Sequence, residues 1–191
     1  LDTIGGTSGT CSGTQCPSSL PTGGISVGAY DFDGTDDYID FGTGLNSLRD
    51  LTVSLWFKAD DIVSVGHLIN KFFSTNDGWG LRTESSQIMI FDDIDGFDVF
   101  RYGTAISQGK WYNVAVSMRD NGNGTFENKL YLDSVLLGSG QNSTGGWDSF
   151  AGNLYLGSRR PTSGYFNGVI DDARIYNGVL AHTQIQAQYN G

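Results

Sequence analysis

The sequence predicts an all-β protein, an antiparallel two-sheet β-sandwich of the jelly-roll kind. Three observations carry that expectation. Short runs of β-branched and aromatic residues recur along the 191 residues, separated by clusters of Gly, Asn, Asp and Ser. Gly is abundant at 28 residues, Pro is scarce at 3, and aromatics make up 13%, which fits many short strands joined by tight turns and does not fit disorder. No helical stretch lies between the runs to serve as the crossover that parallel strands need.

Residues 1–24 are rich in Gly, Ser, Thr and Pro and read as an irregular leader ahead of a single domain over residues 25–191. In the leader, Cys11 and Cys16 are expected to close a small disulfide loop in an exported protein; the alternative is a pair of reduced thiols in a cytosolic chain. Zinc would need two more ligands, and His67 and His182 lie far off in sequence. The chain starts at Leu1 without Met, which reads as a mature product or a module cut from a longer protein.

The first strand is expected over Ile25 to Phe32 and a short second one over Tyr38 to Phe41, around the turn Gly34-Thr35-Asp36-Asp37. Leu51 to Lys58 alternates cleanly: Leu51, Val53, Leu55 and Phe57 share one face, and Thr52, Ser54, Trp56 and Lys58 the other. Trp56 on the polar face is either a sugar platform or a ring packed under an outer layer. His67–Lys71, Trp79–Arg82 and Gln87–Phe91 read as a meander, followed by an acidic loop over 92–98 and a strand over Val99–Tyr102. Trp111 to Met118 is another strand, closed by the hairpin turn Asp120-Asn-Gly-Asn-Gly-Thr125. Strands at Leu130–Asp133 and Val135–Leu137 precede a long polar loop over 138–152, and Asn153–Gly157 is a further strand. The tail, Val179 to Gln188, holds a short helix.

The stretch Gly168-Val169-Ile170-Asp171-Asp172-Ala173-Arg174-Ile175-Tyr176 organises this reading. Val169, Asp171, Ala173 and Ile175 share one face. A carboxylate among apolar neighbours needs a partner, because burying it alone is costly. An arginine, a set of backbone amides or a cation would serve. Entering so late, the strand must find its neighbours far back in the chain, near Tyr30-Asp31-Phe32-Asp33-Gly34.

The formal net charge is -10, and the few lysines are scattered, which argues against nucleic acid or anionic membrane as partner. No run is long and apolar enough to suggest membrane insertion.

Phe32-Asp33-Gly34-Thr35-Asp36-Asp37-Tyr38-Ile39 and Leu51-Thr-Val-Ser-Leu-Trp-Phe-Lys58 resemble the opening segments of laminin G-like, concanavalin A-like jelly-roll modules of bacterial secreted proteins. Trp111-Tyr-Asn-Val-Ala-Val, Leu130-Tyr-Leu-Asp133, Leu154-Tyr-Leu-Gly157 and Tyr165-Phe-Asn-Gly-Val-Ile-Asp-Asp-Ala-Arg-Ile-Tyr-Asn177 match in the same order, and Leu180 to Tyr189 resembles the closing segment. The resemblance covers about residues 25–191. It implies two apposed antiparallel sheets, a secreted or cell-surface location, a monomeric lectin-like module, frequently a calcium site, and binding of a polysaccharide or other glycan or of a cell-surface protein rather than catalysis. The likeness also suggests calcium between the N-terminal and C-terminal strands, at Asp33 and Asp171.

Calcium takes carboxylate and backbone oxygens. Asp31, Asp33, Asp171 and Asp172 would supply the first, Gly34 and Gly42 the second; the competing arrangement is a salt bridge to Arg174. Asp93, Asp95 and Asp98 form a second cation candidate that reads more simply as an exposed acidic turn. Glycan sites pair an aromatic face with polar side chains, which makes Trp79, Tyr102, Trp147, Tyr165, Arg160 and Asp92 the candidate ligand-binding residues. A retaining hydrolase needs two carboxyls about 5 Å apart, and Glu84 and Glu127 are distant in sequence. A lyase would want His, Tyr and Arg on one strand face, and His67 shows no Arg spaced to share its own. The leading expectation is therefore a non-catalytic carbohydrate-binding module with a structural calcium. A protein-binding adhesion or spacer module and a degenerate hydrolase or lyase are the alternatives.

Overall fold

The structure, a computed structural model, describes residues 3–191 except 5, 27, 46–47, 73–77, 95–96, 99–101, 124, 143–151 and 160–161; at 3–4, 72, 91–94, 97–98, 102 and 141–142 it describes the backbone alone. Its strands are β1 (Thr3–Ile4), β2 (Thr7–Ser8), β3 (Ser18–Leu20), β4 (Ala29–Asp33), β5 (Ile39–Asp40), β6 (Leu51–Ala59), β7 (Gly66–Phe72), β8 (Gly78–Glu84), β9 (Gln87–Ile94), β10 (Phe97–Asp98), β11 (Tyr102–Ala105), β12 (Trp111–Asp120), β13 (Phe126–Leu132), β14 (Val135–Asn142), β15 (Leu154–Leu156) and β16 (Asn167–Asn177). One helix, α1 (His182–Asn190), follows.

Two antiparallel sheets face one another. The first runs β10-β9-β8-β7-β15-β5, with β11 also on β9; the second runs β14-β13-β12-β6-β16-β4-β3. The late strand β16 lies between β6 and β4, with Asn167 opposite Asp33 and Ile170 opposite Tyr30. The pairing expected from sequence is therefore formed.

Alternation builds the core. Leu51, Val53, Leu55 and Phe57 of β6 and Tyr112, Val114, Val116 and Met118 of β12 point inward and are buried. Phe57 and Phe32 both meet the ring of Phe166 edge-on, at 6.5 and 6.4 Å between centroids. The outward face of the second sheet is also covered, because α1 lays Ile185 against Ala115 and Tyr131. Trp56 stacks on Tyr189 at 5.4 Å, so it is a packing ring of this outer layer.

Two departures from the sequence reading have a common cause in unpaired backbone. The leader is not irregular: Ser18–Leu20 pairs with Ala29–Asp31 and covers the open edge of β4, while Thr10 bridges to Asp40. The stretch 138–142, expected to open a loop, continues β14 alongside β13. The disulfide Cys11–Cys16 is formed, with Cα atoms 5.1 Å apart. It holds a turn, Gly13–Gln15, against the segment leading into β5: Tyr38 donates its N–H to the Gln15 carbonyl at 3.1 Å and its hydroxyl to Gln15 Oε1 at 3.3 Å.

Candidate ligand and cation site

Asp171 is 3% exposed, and its partners are backbone amides. Its carboxylate accepts N–H bonds from Ile25 (2.7 Å), Ser26 (2.8 Å) and Asp172 (2.7 Å), and a hydroxyl bond from Ser26 (3.1 Å). A bulge between Asp171 and Arg174, with Asp172 at φ +49°, aims the side chain at this segment. Gly24 makes the approach possible, since a Cβ there would collide with the Asp171 carboxylate.

The expected juxtaposition of Asp33 with Asp171 is not formed. Asp33 stands opposite Asn167, four residues from Asp171 and about 13 Å along the strand. The other carboxylates assigned to that site are also elsewhere. Asp172 bonds Arg174 Nε at 2.7 Å. Asp31 stands opposite Val169, its carboxyl pushed up by burial and by Asp60 and Asp33 while Lys58 opposes. The Gly42 carbonyl already accepts the Leu154 N–H at 3.0 Å.

A different carboxylate cluster forms in the turn after β4. Oxygens of Asp33, Asp36 and Asp37 lie within 4.8 Å of one another. Asp33 accepts the Thr35 N–H at 2.7 Å, and Asp37 accepts the Asp33 N–H at 2.9 Å. Gly34 turns at φ +76°, where a Cβ would strike the Asn167 side chain. Asp37 is 5% exposed; burial, then the charges of Asp33, Asp36 and Asp31, hold its carboxyl above the usual range against the backbone bond. Hard oxygens so disposed are a donor set that suits calcium. The signal was present in the sequence, as three Asp residues around one Gly turn.

Next to this turn opens a cleft of about 280 Å³, walled by Gly34, Asp61, Val65, Gly164, Tyr165 and Asn167. Asp61 is fixed by N–H bonds from Val63 (2.8 Å) and Ser64 (3.1 Å), and hydrogen bonds from the Ser64 side chain and these two amides hold its carboxyl low. Tyr165 is half-buried; burial, then Asp36 and Tyr38, push its hydroxyl up. The apolar edge is Val65, 39% exposed, beside Val63, 70% exposed.

Of the six proposed ligand-binding residues, Tyr165 lines the cleft. Trp79 does not stand at a surface: it is 1% exposed, because the phase of β8 turns it inward with Leu81. Asp92, on β9, and Tyr102, on β11, are described in backbone alone, and Trp147 and Arg160 lie outside the described residues. So do parts of the acidic loop over 92–98.

The sequence reading also missed a partner for His67. Arg82 stands directly opposite it on β8 and shares its outer face. The ring is sealed at 2% exposure, with Gly164 of the overlying loop pressed against it. Burial, then the charges of Arg82 and Arg159, lower its pKa to about 3. Arg82 itself pairs with Glu84 at 2.7 Å. Glu84 belongs to the first sheet and Glu127 to the second, beside Lys129 at 3.0 Å.

Two antiparallel sheets, a rim cleft and a carboxylate turn define a lectin-like β-sandwich. The chain belongs to the concanavalin A-like lectin/glucanases superfamily, whose laminin G-type model matches residues 33–186. Among solved structures it is similar to domain 4 of an extracellular arabinanase from Geobacillus stearothermophilus in complex with arabinotriose. That likeness has a TM-score of 0.72 and 24% identity, and covers 96% of this chain and 89% of that one. It also resembles the receptor-binding domain of botulinum neurotoxin D (TM-score 0.67, 18% identity, 88% of this chain and 45% of that one). A third likeness is to a heptameric pentraxin from Limulus polyphemus (TM-score 0.61, 18% identity, 83% and 79%). At these identities the shared property is the fold. No curated protein matches the chain. Among the described residues no helix is long and apolar enough to cross a membrane.

Proposed function

We propose that the protein is a non-catalytic glycan-binding module of an extracellular protein, taking its ligand in the Tyr165 cleft. The observation that carries this reading is the cleft's composition: one half-buried tyrosine, an apolar edge at Val65 and polar walls from Asn167 and Asp61. Sugars present both apolar ring faces and hydroxyls, and such a wall suits both. The disulfide supports an oxidising location. The arabinotriose complex of the arabinanase domain makes arabino-oligosaccharides the first ligands to try. Binding rather than hydrolysis is supported by the placement of Glu84 and Glu127 on different sheets and by the sealing of His67.

The reading includes a structural calcium held by Asp33, Asp36 and Asp37, which would neutralise three crowded carboxylates and brace the turn that forms one wall of the cleft. Affinity electrophoresis in arabinan, xylan, β-glucan and mannan gels tests the glycan reading. Retardation in at least one gel, lost in Tyr165→Ala, is expected. Unretarded wild type in every gel and on a glycan array would point instead to a protein-binding module, and release of reducing ends or unsaturated products would make it an enzyme.

A further inference from the structure

The cleft volume of about 280 Å³ falls just below the range of about 300–1,000 Å³ usual for small-molecule sites, room for a single sugar residue. A longer glycan must leave the cleft and run over its neighbours. Past Gly34 the chain leads through Asp36 to Tyr38, which meets Tyr155 edge-on at 5.9 Å between centroids. Both rings are half-buried, as Tyr165 is. Gln15, behind the disulfide, fixes Tyr38 at both its N–H and its hydroxyl.

Beside Tyr155, directly across the ladder, stands Asp40. Asn153 donates to both of its carboxylate oxygens, at 3.1 and 2.9 Å, and Gly42 N–H donates to one of them at 2.7 Å. A carboxylate offers about four acceptor sites, so these bonds fix its orientation and leave capacity for a hydroxyl donor. A carboxylate braced in this way next to a pair of half-buried rings sets a hydroxyl acceptor beside apolar ring faces, the combination that a sugar needs.

We propose that Tyr38, Tyr155, Asp40 and Asn153 form a second sugar subsite continuous with the Tyr165 cleft, so that the module binds a stretch of at least two or three residues of a neutral oligosaccharide rather than a single sugar. The carboxylate at Asp40 disfavours an acidic chain, since like charges repel. This inference rests on the glycan reading above and deepens it.

Calorimetry with ladders of one to three residues of arabinose, xylose, glucose, galactose and mannose tests it. In the ladder that the wild type binds, the trisaccharide is expected to bind at least about tenfold tighter than the monosaccharide, the factor that about 1.4 kcal/mol makes. Tyr155→Ala and Asn153→Ala should bring that ratio close to one. Tyr38→Ala gives the same readout from outside the ladder should Tyr155→Ala fold poorly, and a thermal melt checks each variant. Equal affinity along the ladder, or a ratio that survives these substitutions, overturns the second subsite and leaves the glycan reading standing. No binding of any ladder overturns both.

Discussion

His67 gives the protein a calculable sensitivity to acid. In the folded state the ring is 2% exposed and its pKa is lowered to about 3, from an ordinary value of 6.5. Burial is the first cause, and Arg82 and Arg159 add to it. Asn70 Nδ2 lies 3.3 Å from its Nδ1, a contact that a neutral ring accepts and an imidazolium cannot. The unfolded chain protonates near 6.5 while the folded protein does not, so the histidine's contribution is present above 6.5 and is lost as pH falls from there toward about 3. At pH 5 the ring lies 1.5 pH units below its unfolded pKa, worth about 2 kcal/mol at about 1.36 kcal/mol per unit. For a chain of this size that is a fall in Tm of about 4–8 °C between pH 7 and pH 5. Calorimetric melts of wild type and His67→Gln over that interval isolate the ring, because every other group titrates in both. The variant should be less stable at pH 7 but should lose less on acidification. Equal slopes in the two proteins would refute the account of a sealed neutral ring.

The carboxylates and the disulfide carry the remaining expectations. Asp171→Ala removes four hydrogen bonds to one charged group. Of the three amides it leaves, those of Ile25 and Ser26 are exposed and regain water, while that of Asp172 is half-buried, so the cost should be about 3 kcal/mol, a Tm fall of about 6–12 °C by scanning calorimetry; an unchanged Tm would contradict the anchoring role. Calcium should raise the wild-type Tm and chelator lower it, by mass action on the folded state. That response should survive in Asp171→Ala and vanish in Asp36→Asn, and the reverse pattern would return the ion to Asp171. The unreduced protein should show no alkylatable thiol by intact mass. Reducing Cys11–Cys16, which closes so short a loop, should cost only about 2 kcal/mol, and a loss much larger than that would mean that the leader is anchored chiefly through this bond.

The sequence alone determined the sandwich, because alternation is local. Leu51 to Lys58 and Trp111 to Met118 each carry a period of two that admits one buried face, and the late strand around Asp171 had to return to the region of Asp33. It also singled out the only pairing open to the two cysteines, which lie five positions apart, while leaving the reduced pair as the alternative that the structure then removed. Which groups meet across strands was decided by tertiary structure. Arg82 faces His67 through a register that includes a bulge between His67 and Ile69, and a register is a property of two strands rather than one. The Asp171 carboxylate turned toward the amides of Ile25 and Ser26 through a bulge, and those amides come from 146 and 145 residues away. Trp79, at the end of a short polar run, was turned inward by the phase of its neighbours. Tyr38, Tyr155 and Tyr165 come from three separate segments and converge only because β15 lies beside β5 and the turn after β4 lies against Asn167. A one-dimensional pattern specifies which face of a strand is apolar; it does not specify which polar groups the sheet order brings side by side.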